Sequence, residues 1–414
     1  MGDGSPSAGS SSARSSSDQT SSGASISAAG AALQSVAVAG VGMTPIAKRL
    51  ESTSLHVCVE AALLALDDAG ISVDQVDGIS ARWPGPGGTV FHPGSPDWAD
   101  QLGLSVRWVG DTYPQGVPAA LDAAGAIVTG QADVVLVVGG QAGVLGGGKV
   151  ASYTRPENEF TEVWGSITQA QFALVAQRYL HTYRPDRKQL AGLAAAIRNA
   201  GSVNPGAVMA GRGPYSAEDV LDSPMIASPL HLLEVCLASE GAAAMVLTRA
   251  DRAADGPHPV VRLLGGGCEW YGQQYVDPPR FDEVGGILAG AAKRSFAMAG
   301  LSPVDLDVLE LYDVNIFEVV RQLEVLGFCG PGEGTAFATE AGIGPDGGLP
   351  INTDGGLLSF AHIGWGAPTI KIVEAVRQLR GSAPSGQVPG ARTAAVTGAG
   401  AGAQYNNLLL LGRD

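Results

Sequence analysis

GDTYPQGVPAALDAAGAIVTGQADVVLVVGG, residues 110–140, reads in order as a tight turn, an Ala-rich helix and an apolar strand. The strand, over 134–138, is apolar at every position, the pattern of a strand buried on both faces. The turn that opens the helix contains Pro114 and Gly116. Backbone N–H groups and the helix dipole favour developing negative charge at such a turn, so an enzyme places a nucleophile there readily. No Ser or Cys occupies it; Tyr113 is the turn's one side chain suited to proton transfer.

Outward from this stretch the chain repeats its plan. Before it, a β-rich run from Ser35 precedes a helix over 55–69 that stops at Gly70, a glycine C-terminus, and ISVDQVDGI leads into a short strand. In the second half Ala299-Gly300-Leu301-Ser302 repeats Ala69-Gly70-Ile71-Ser72. Leu306-Asp307 repeats Val76-Asp77, and Leu309 falls on Ile79, all at one constant offset. Seven aligned positions, each set following an Ala-rich helix, indicate a duplicated unit. Alternating strands and helices argue for an α/β fold with mainly parallel pairing. The turn GGLLSFAHIGWGAP precedes a helix over 369–379 and a strand over 394–396, as the turn at Tyr113 precedes its own helix and strand. Two such turns would face each other across a pseudo-twofold axis. Residues 1–33, rich in Ser, Gly and Ala, read as a disordered tail; they have neither the basic start nor the apolar stretch of a signal peptide. The halves are drawn at 34–255 and 256–414, with 141–235 as an insertion carrying a Pro/Gly-rich loop and helical stretches at 167–180 and 187–199. Insertions at strand ends usually cover a ligand site.

With 414 residues, 45% of them hydrophobic, the chain can bury a sizeable core. A formal net charge of −15 argues against nucleic acid as a partner. Cys58, Cys236, Cys268 and Cys329 form no CxxC pair, which fits a reducing compartment and gives no metal signature. No apolar run approaches the ~20 residues that span a bilayer. A soluble, cytoplasmic protein is expected.

The blocks AAGAIVTGQADVVLVVGG, ITQAQFALVAQRYL, LAAAIRNAGSVNPGAV, SPLHLLEVCLASEGAAAMVL, LELYDVNIFEVVRQLEVLGFCGPGEG and LPINTDGGLLSFAHIGWGAPTIKIVEAVRQLRG together resemble the thiolase superfamily, in particular the sterol-carrier-protein-type thiolases. They cover nearly all of residues 35–414 in the family's order. The resemblance implies two similar α/β halves in a five-layered αβαβα sandwich, usually a homodimer.

The departures carry the chemistry. Where the family has its nucleophilic Cys the closest residue is Tyr113, with Gly116 matching the family's glycine. Where it has a strand-end His-Asp, this chain has Tyr312-Asp313. The family's following Asn falls near Glu318, with Asn315 close by. The Gly-His-Pro loop is represented by Ala361-His362-Ile363, and the second Cys falls near Thr397. Cys236 and Cys329 match structural positions of the family, and Cys58 sits in an Ala/Leu-rich helix as ordinary packing. This combination resembles the thiolase-like aldolases of steroid side-chain degradation. What it implies is retro-aldol cleavage of a β-hydroxyacyl-CoA without a covalent intermediate, no cofactor beyond the CoA thioester substrate, no metal, and a small partner with an OB-fold and zinc ribbon in a heterotetramer.

Such a reaction needs a base for the hydroxyl proton, donors for the thioester oxygen and an acid for carbon. Tyr312 and His362 are the candidates for these tasks. Tyr113 either adds a second phenol or fills the volume a thioester adduct would need. Asp313 orients a loop or bonds backbone N–H groups at the substrate site; Asn315 and Glu318 are candidates for positioning water or substrate. Gly356 of the second turn and Gly400 of the run GAGAGA, 398–403, offer close backbone approach to substrate; the run lacks the Lys and Ser/Thr of a P-loop. His92 has nothing to orient it. Lys149, Arg155 and Arg212 are candidate contacts for the CoA nucleotide. The competing readings are a cysteine-independent acyltransferase or condensing enzyme of secondary metabolism, and a non-catalytic acyl-CoA-binding subunit.

Overall fold

The computed structural model describes residues 16–82, 94–112, 115–144, 168–272, 279–400 and 402–414. Helices used below are α1 Ser16–Gln34, α2 Ser54–Ala69, α3 Val117–Val128, α4 Thr168–Tyr183, α5 Arg187–Val203, α6 Ala289–Ala299, α7 Ile316–Leu326 and α8 Ala367–Arg380. The strands are β1 Val36–Met43, β2 Gly78–Arg82, β3 Trp108–Gly110, β4 Val134–Gln141, the small hairpin β5 Met225–Ala227 and β6 Leu230–His231, then β7 Gly241–Arg249, β8 Val261–Trp270, β9 Val308–Glu310, β10 Thr393–Gly400 and β11 Tyr405–Arg413.

Apart from the hairpin, the strands form one sheet in the order β3-β2-β4-β7-β1-β8-β11-β10-β9. It consists of two half-sheets joined at β1 and β8, where only Ala37–Arg262 and Val38–Val261 pair. The halves match element for element. Each outer helix, α2 or α6, ends on a glycine in the left-handed region, Gly70 or Gly300. Each is followed by a single 3-10 turn, Val73–Gln75 or Pro303–Asp305. In each, an aspartate then caps the neighbouring strand. Asp77 accepts from the Asp133 and Val134 N–H groups, and Asp307 from those of Arg392 and Thr393.

Three helical layers separate and cover the half-sheets. Helix α2 buries Val57, Cys58, Ala61, Ala62, Ala65 and Leu66 on β1, β4 and β7. It lies so close that a Cβ at Gly40 of β1 would collide with the Ala65 carbonyl. Helices α3 and α8 lie between the half-sheets, where Val117, Ala120 and Ala123 meet a core shared with Ile370, Val373 and Val376. Helices α6 and α7 close the other side with Ala291, Phe296, Val320 and Leu323. Among the described residues no helix is long and apolar enough to cross a membrane.

Four expectations change. Parallel pairing is confined to β3-β2-β4 and β10-β9; every other pair is antiparallel. Strand–helix–strand alternation breaks within the main sheet at its last pair, since β10 and β11 follow one another with no helix between them. The tail is also not wholly structureless, because Ser16–Gln34 is helical. Its small residues allow close contact: Gly30 is buried against the Met298 backbone of α6, and Leu33 packs on the central core. Finally, Gly398 and Gly400 belong to strand β10 rather than to a loop, paired with Asn407 and Tyr405. A Cβ at Gly400 would strike the Tyr405 ring, so this glycine makes room for a side chain of the sheet.

Candidate active site

The two turns meet at the centre of the molecule. Gly116 opens α3 directly against Pro368 at the start of α8, leaving no room for a Cβ. Tyr113, His92, Lys149 and Arg155 lie outside the described residues. Arg212 is exposed in a loop after α5.

Strand β9 ends at Glu310, and the chain then passes through Leu311 and Tyr312 into Asp313. Tyr312 is 6% exposed. Its hydroxyl lies 3.0 Å from His362 Nε2, with the rings edge to face at a centroid separation of 6.1 Å. The His362 loop is held like an extra strand: its N–H donates to the Leu237 carbonyl and its carbonyl accepts from the Ser239 N–H, each at 2.9 Å. The surrounding protein desolvates the imidazole and pushes its pKa down to about 4, although the nearby charge of Asp313 opposes this. His362 is therefore neutral at pH 7, with a ring nitrogen able to exchange a proton with the phenol.

Asp313 is fully buried and shapes the second turn. Its oxygens accept from the Leu357 and Leu358 N–H groups at 2.8 and 3.1 Å, and Lys371 Nζ lies 3.3 Å away. Gly356 adopts φ +56°, and a Cβ there would collide with the Asp313 carboxylate. Both residues thus act by building the turn that presents His362. Beneath it lies a buried charged cluster: Lys371 Nζ bonds Glu310 at 3.1 Å, with Asp354 and Glu374 close by. Burial works against the Lys371 ammonium, but Asp313, Glu310 and Asp354 outweigh it and hold its pKa above the usual value. Burial, with Asp354 adding to it, raises the Glu374 carboxyl to about 8.

Asn315 and Glu318 are fully buried and engaged elsewhere. Asn315 caps α7 by accepting the Glu318 N–H at 3.0 Å. Glu318 pairs with Arg321 at 2.6 and 2.8 Å, and Arg321 also donates to the carbonyls of Gly285 and Ile287. Both residues fix the frame behind Tyr312. The i,i+3 spacing of Glu318 and Arg321 was a readable signal for that pairing.

Two side chains beside Tyr312 escaped sequence reasoning as participants. Thr397 of β10 accepts the Tyr312 N–H at 2.8 Å, and Gln322 of α7 donates to the Tyr312 carbonyl at 3.1 Å. None of the four cysteines has the lowered pKa of a nucleophile. Burial raises Cys236, Cys268 and Cys329 to about 12 and Cys58 further still. Cys236 nevertheless packs in the same apolar cluster as Tyr312.

Residues 286–413 match the family model described as "Thiolase C-terminal domain-like". The chain is 32% identical over 395 residues to the steroid side-chain-cleaving aldolase of Thermomonospora curvata, covering 91% of this chain and 97% of the relative. It is 34% identical over 404 residues to the 17-hydroxy-3-oxo-4-pregnene-20-carboxyl-CoA lyase of Mycobacterium tuberculosis, covering 90% and 98%. Among solved structures the Ltp2-ChsH2(DUF35) aldolase superposes with a TM-score of 0.79 at 29% identity, over 92% of this chain and 98% of that one. With the duplicated halves and the facing turns, these likenesses show that the chain belongs to the thiolase-like aldolases, carbon–carbon lyases built on the thiolase fold.

Proposed function

We propose that the protein cleaves a β-hydroxyacyl-CoA by retro-aldol chemistry, that its substrate is a steroid side-chain-type thioester, and that no cysteine nucleophile or cofactor takes part. The observation that carries this reading is the 3.0 Å contact between the Tyr312 hydroxyl and a neutral His362 at the meeting of the two turns. One member of the pair takes the proton of the substrate's β-hydroxyl. The bond between the α- and β-carbons breaks, its electrons pass into the thioester as an enolate, and the β-carbon leaves as a ketone. The proton then returns to the α-carbon, releasing the shortened acyl-CoA, so no oxidant, water or covalent adduct is required. The phenol–imidazole pair suits this out-and-back transfer, because the imidazole is neutral at rest and a hydroxyl can both donate and accept a hydrogen bond. Raised pKa values at all four cysteines support a mechanism without thioester exchange. The names of the two relatives support the steroid thioester.

The assembly proposed is a cytoplasmic homodimer joined by two copies of a small OB-fold, zinc-ribbon protein. The likeness to the solved Ltp2-ChsH2(DUF35) aldolase supports the partner. The test incubates the purified chain, with and without a co-expressed DUF35 protein, with 17-hydroxy-3-oxo-4-pregnene-20-carboxyl-CoA. Release of a C17 ketone and a shortened acyl-CoA supports the lyase. Acyl exchange between thioesters without C–C cleavage would establish the transferase reading instead, and binding without turnover the non-catalytic subunit.

A further inference from the structure

Beyond Glu310 the backbone of β9 leaves its parallel ladder, whose last pair is Val396–Glu310, while β10 runs on to Gly400. The backbone of Tyr312 is therefore held by side chains. Its N–H donates to Thr397 Oγ1 at 2.8 Å. The Thr397 hydroxyl directs its single proton to Gln322 Oε1. Gln322 Nε2 then donates to the Tyr312 carbonyl at 3.1 Å and to the Glu318 carbonyl at 3.0 Å. The ring of hydrogen bonds is closed, and Thr397 and Gln322 are both fully buried. It also settles the Gln322 amide, since only one orientation places its oxygen toward the hydroxyl and its nitrogen toward the two carbonyls.

We propose that Thr397 and Gln322 are positioning residues that set where the Tyr312 phenol meets His362. The proposal rests on the reading of Tyr312 as a proton-transfer group. Its basis is geometric. The phenol reaches His362 from a residue outside any strand ladder, and a small misplacement at a proton-transfer site costs much of the rate. A purely structural tie between α7 and β10 would affect stability and leave kcat alone.

The experiment measures kcat and KM for 17-hydroxy-3-oxo-4-pregnene-20-carboxyl-CoA, together with Tm, in Thr397→Val, Thr397→Ser, Gln322→Met and the Thr397→Val/Gln322→Met double variant, beside Tyr312→Phe. Valine keeps the shape of threonine and removes the hydroxyl; serine restores it. The expected result is a fall in kcat of about 10–100-fold in Thr397→Val and Gln322→Met, with KM within about threefold and near-parent kcat in Thr397→Ser. The double variant should be little worse than either single one, because the two residues act as one unit. Full kcat in folded Thr397→Val or Gln322→Met would overturn the proposal, as would Thr397→Ser impaired as severely as Thr397→Val. If neither Thr397→Val nor Gln322→Met folds, the ring is structural and the proposal falls. An inactive Tyr312→Phe beside a fully active Thr397→Val sinks the clamp alone. A fully active Tyr312→Phe sinks the reading of the site and the clamp with it.

Discussion

Two side chains 50 residues apart meet at the centre of the site, and burial takes the imidazole away from the chemistry it has in water. Tyr312→Phe removes one oxygen and leaves the packing of the ring intact, so activity is expected to fall by roughly 10²–10⁴-fold while the far-UV circular dichroism is unchanged. His362 sets a pH expectation. Its pKa is about 4 in the folded protein against an ordinary value of 6.5. The unfolded chain therefore takes up a proton near pH 6.5 that the folded protein accepts only near 4, and stability drains away as pH falls through that window. Imidazole ¹⁵N spectra should show His362 neutral from pH 8 to about 5, and His362→Gln should flatten the acid side of the Tm–pH curve. A His362 signal titrating near 6.5 would contradict the burial argument. Both residues were legible in the sequence because each stands in a recognisable block. Thr397 was marked only as standing near the family's second Cys and Gln322 not at all, because a hydrogen bond between residues 75 apart leaves no local pattern. Asp313 was expected to orient a loop or bond backbone N–H groups, and its oxygens do accept from the backbone of the second turn.

At the scale of the element, the turn from Gly355 to Gly366 shows how a loop is made rigid enough to carry chemistry. Its first part, Gly356–Phe360, winds as a single π-helical turn whose Leu357 and Leu358 N–H groups end on Asp313. Gly356→Ala would force a Cβ into that carboxylate at a φ of +56°, so a loss of about 2–3 kcal/mol is expected in chemical denaturation. Activity should fall as well, since His362 hangs from the same turn. Unchanged stability would show that Asp313 can move aside without loss. The helices were the most legible elements: α2 and α8 begin and end within two residues of the spans expected from their apolar spacing. Helix α1 was missed for a physical reason. Its Ser-, Gly- and Ala-rich sequence has no strong apolar stripe, and it is ordered by docking its small side on α6.

For the whole molecule, duplication was the most readable property and strand direction the least. Matching AG[IL]S motifs marked the corresponding corners of the two halves, but nothing local revealed that the middle of the sheet is antiparallel. The way the halves are joined also bears on how the protein could be made. Only two residue pairs join the half-sheets, and the connection around Asp255 and Gly256 is exposed. Beneath it, however, α3 and α8 share one apolar core drawn from both sides. Such a molecule should tolerate a cut and resist separation. Co-expressed as fragments 1–255 and 256–414, the two pieces are expected to purify together on a tag carried by one and to retain cleavage activity, while either fragment alone aggregates. Nature could then have built this enzyme from two gene products, and an engineer could switch it on by bringing them together.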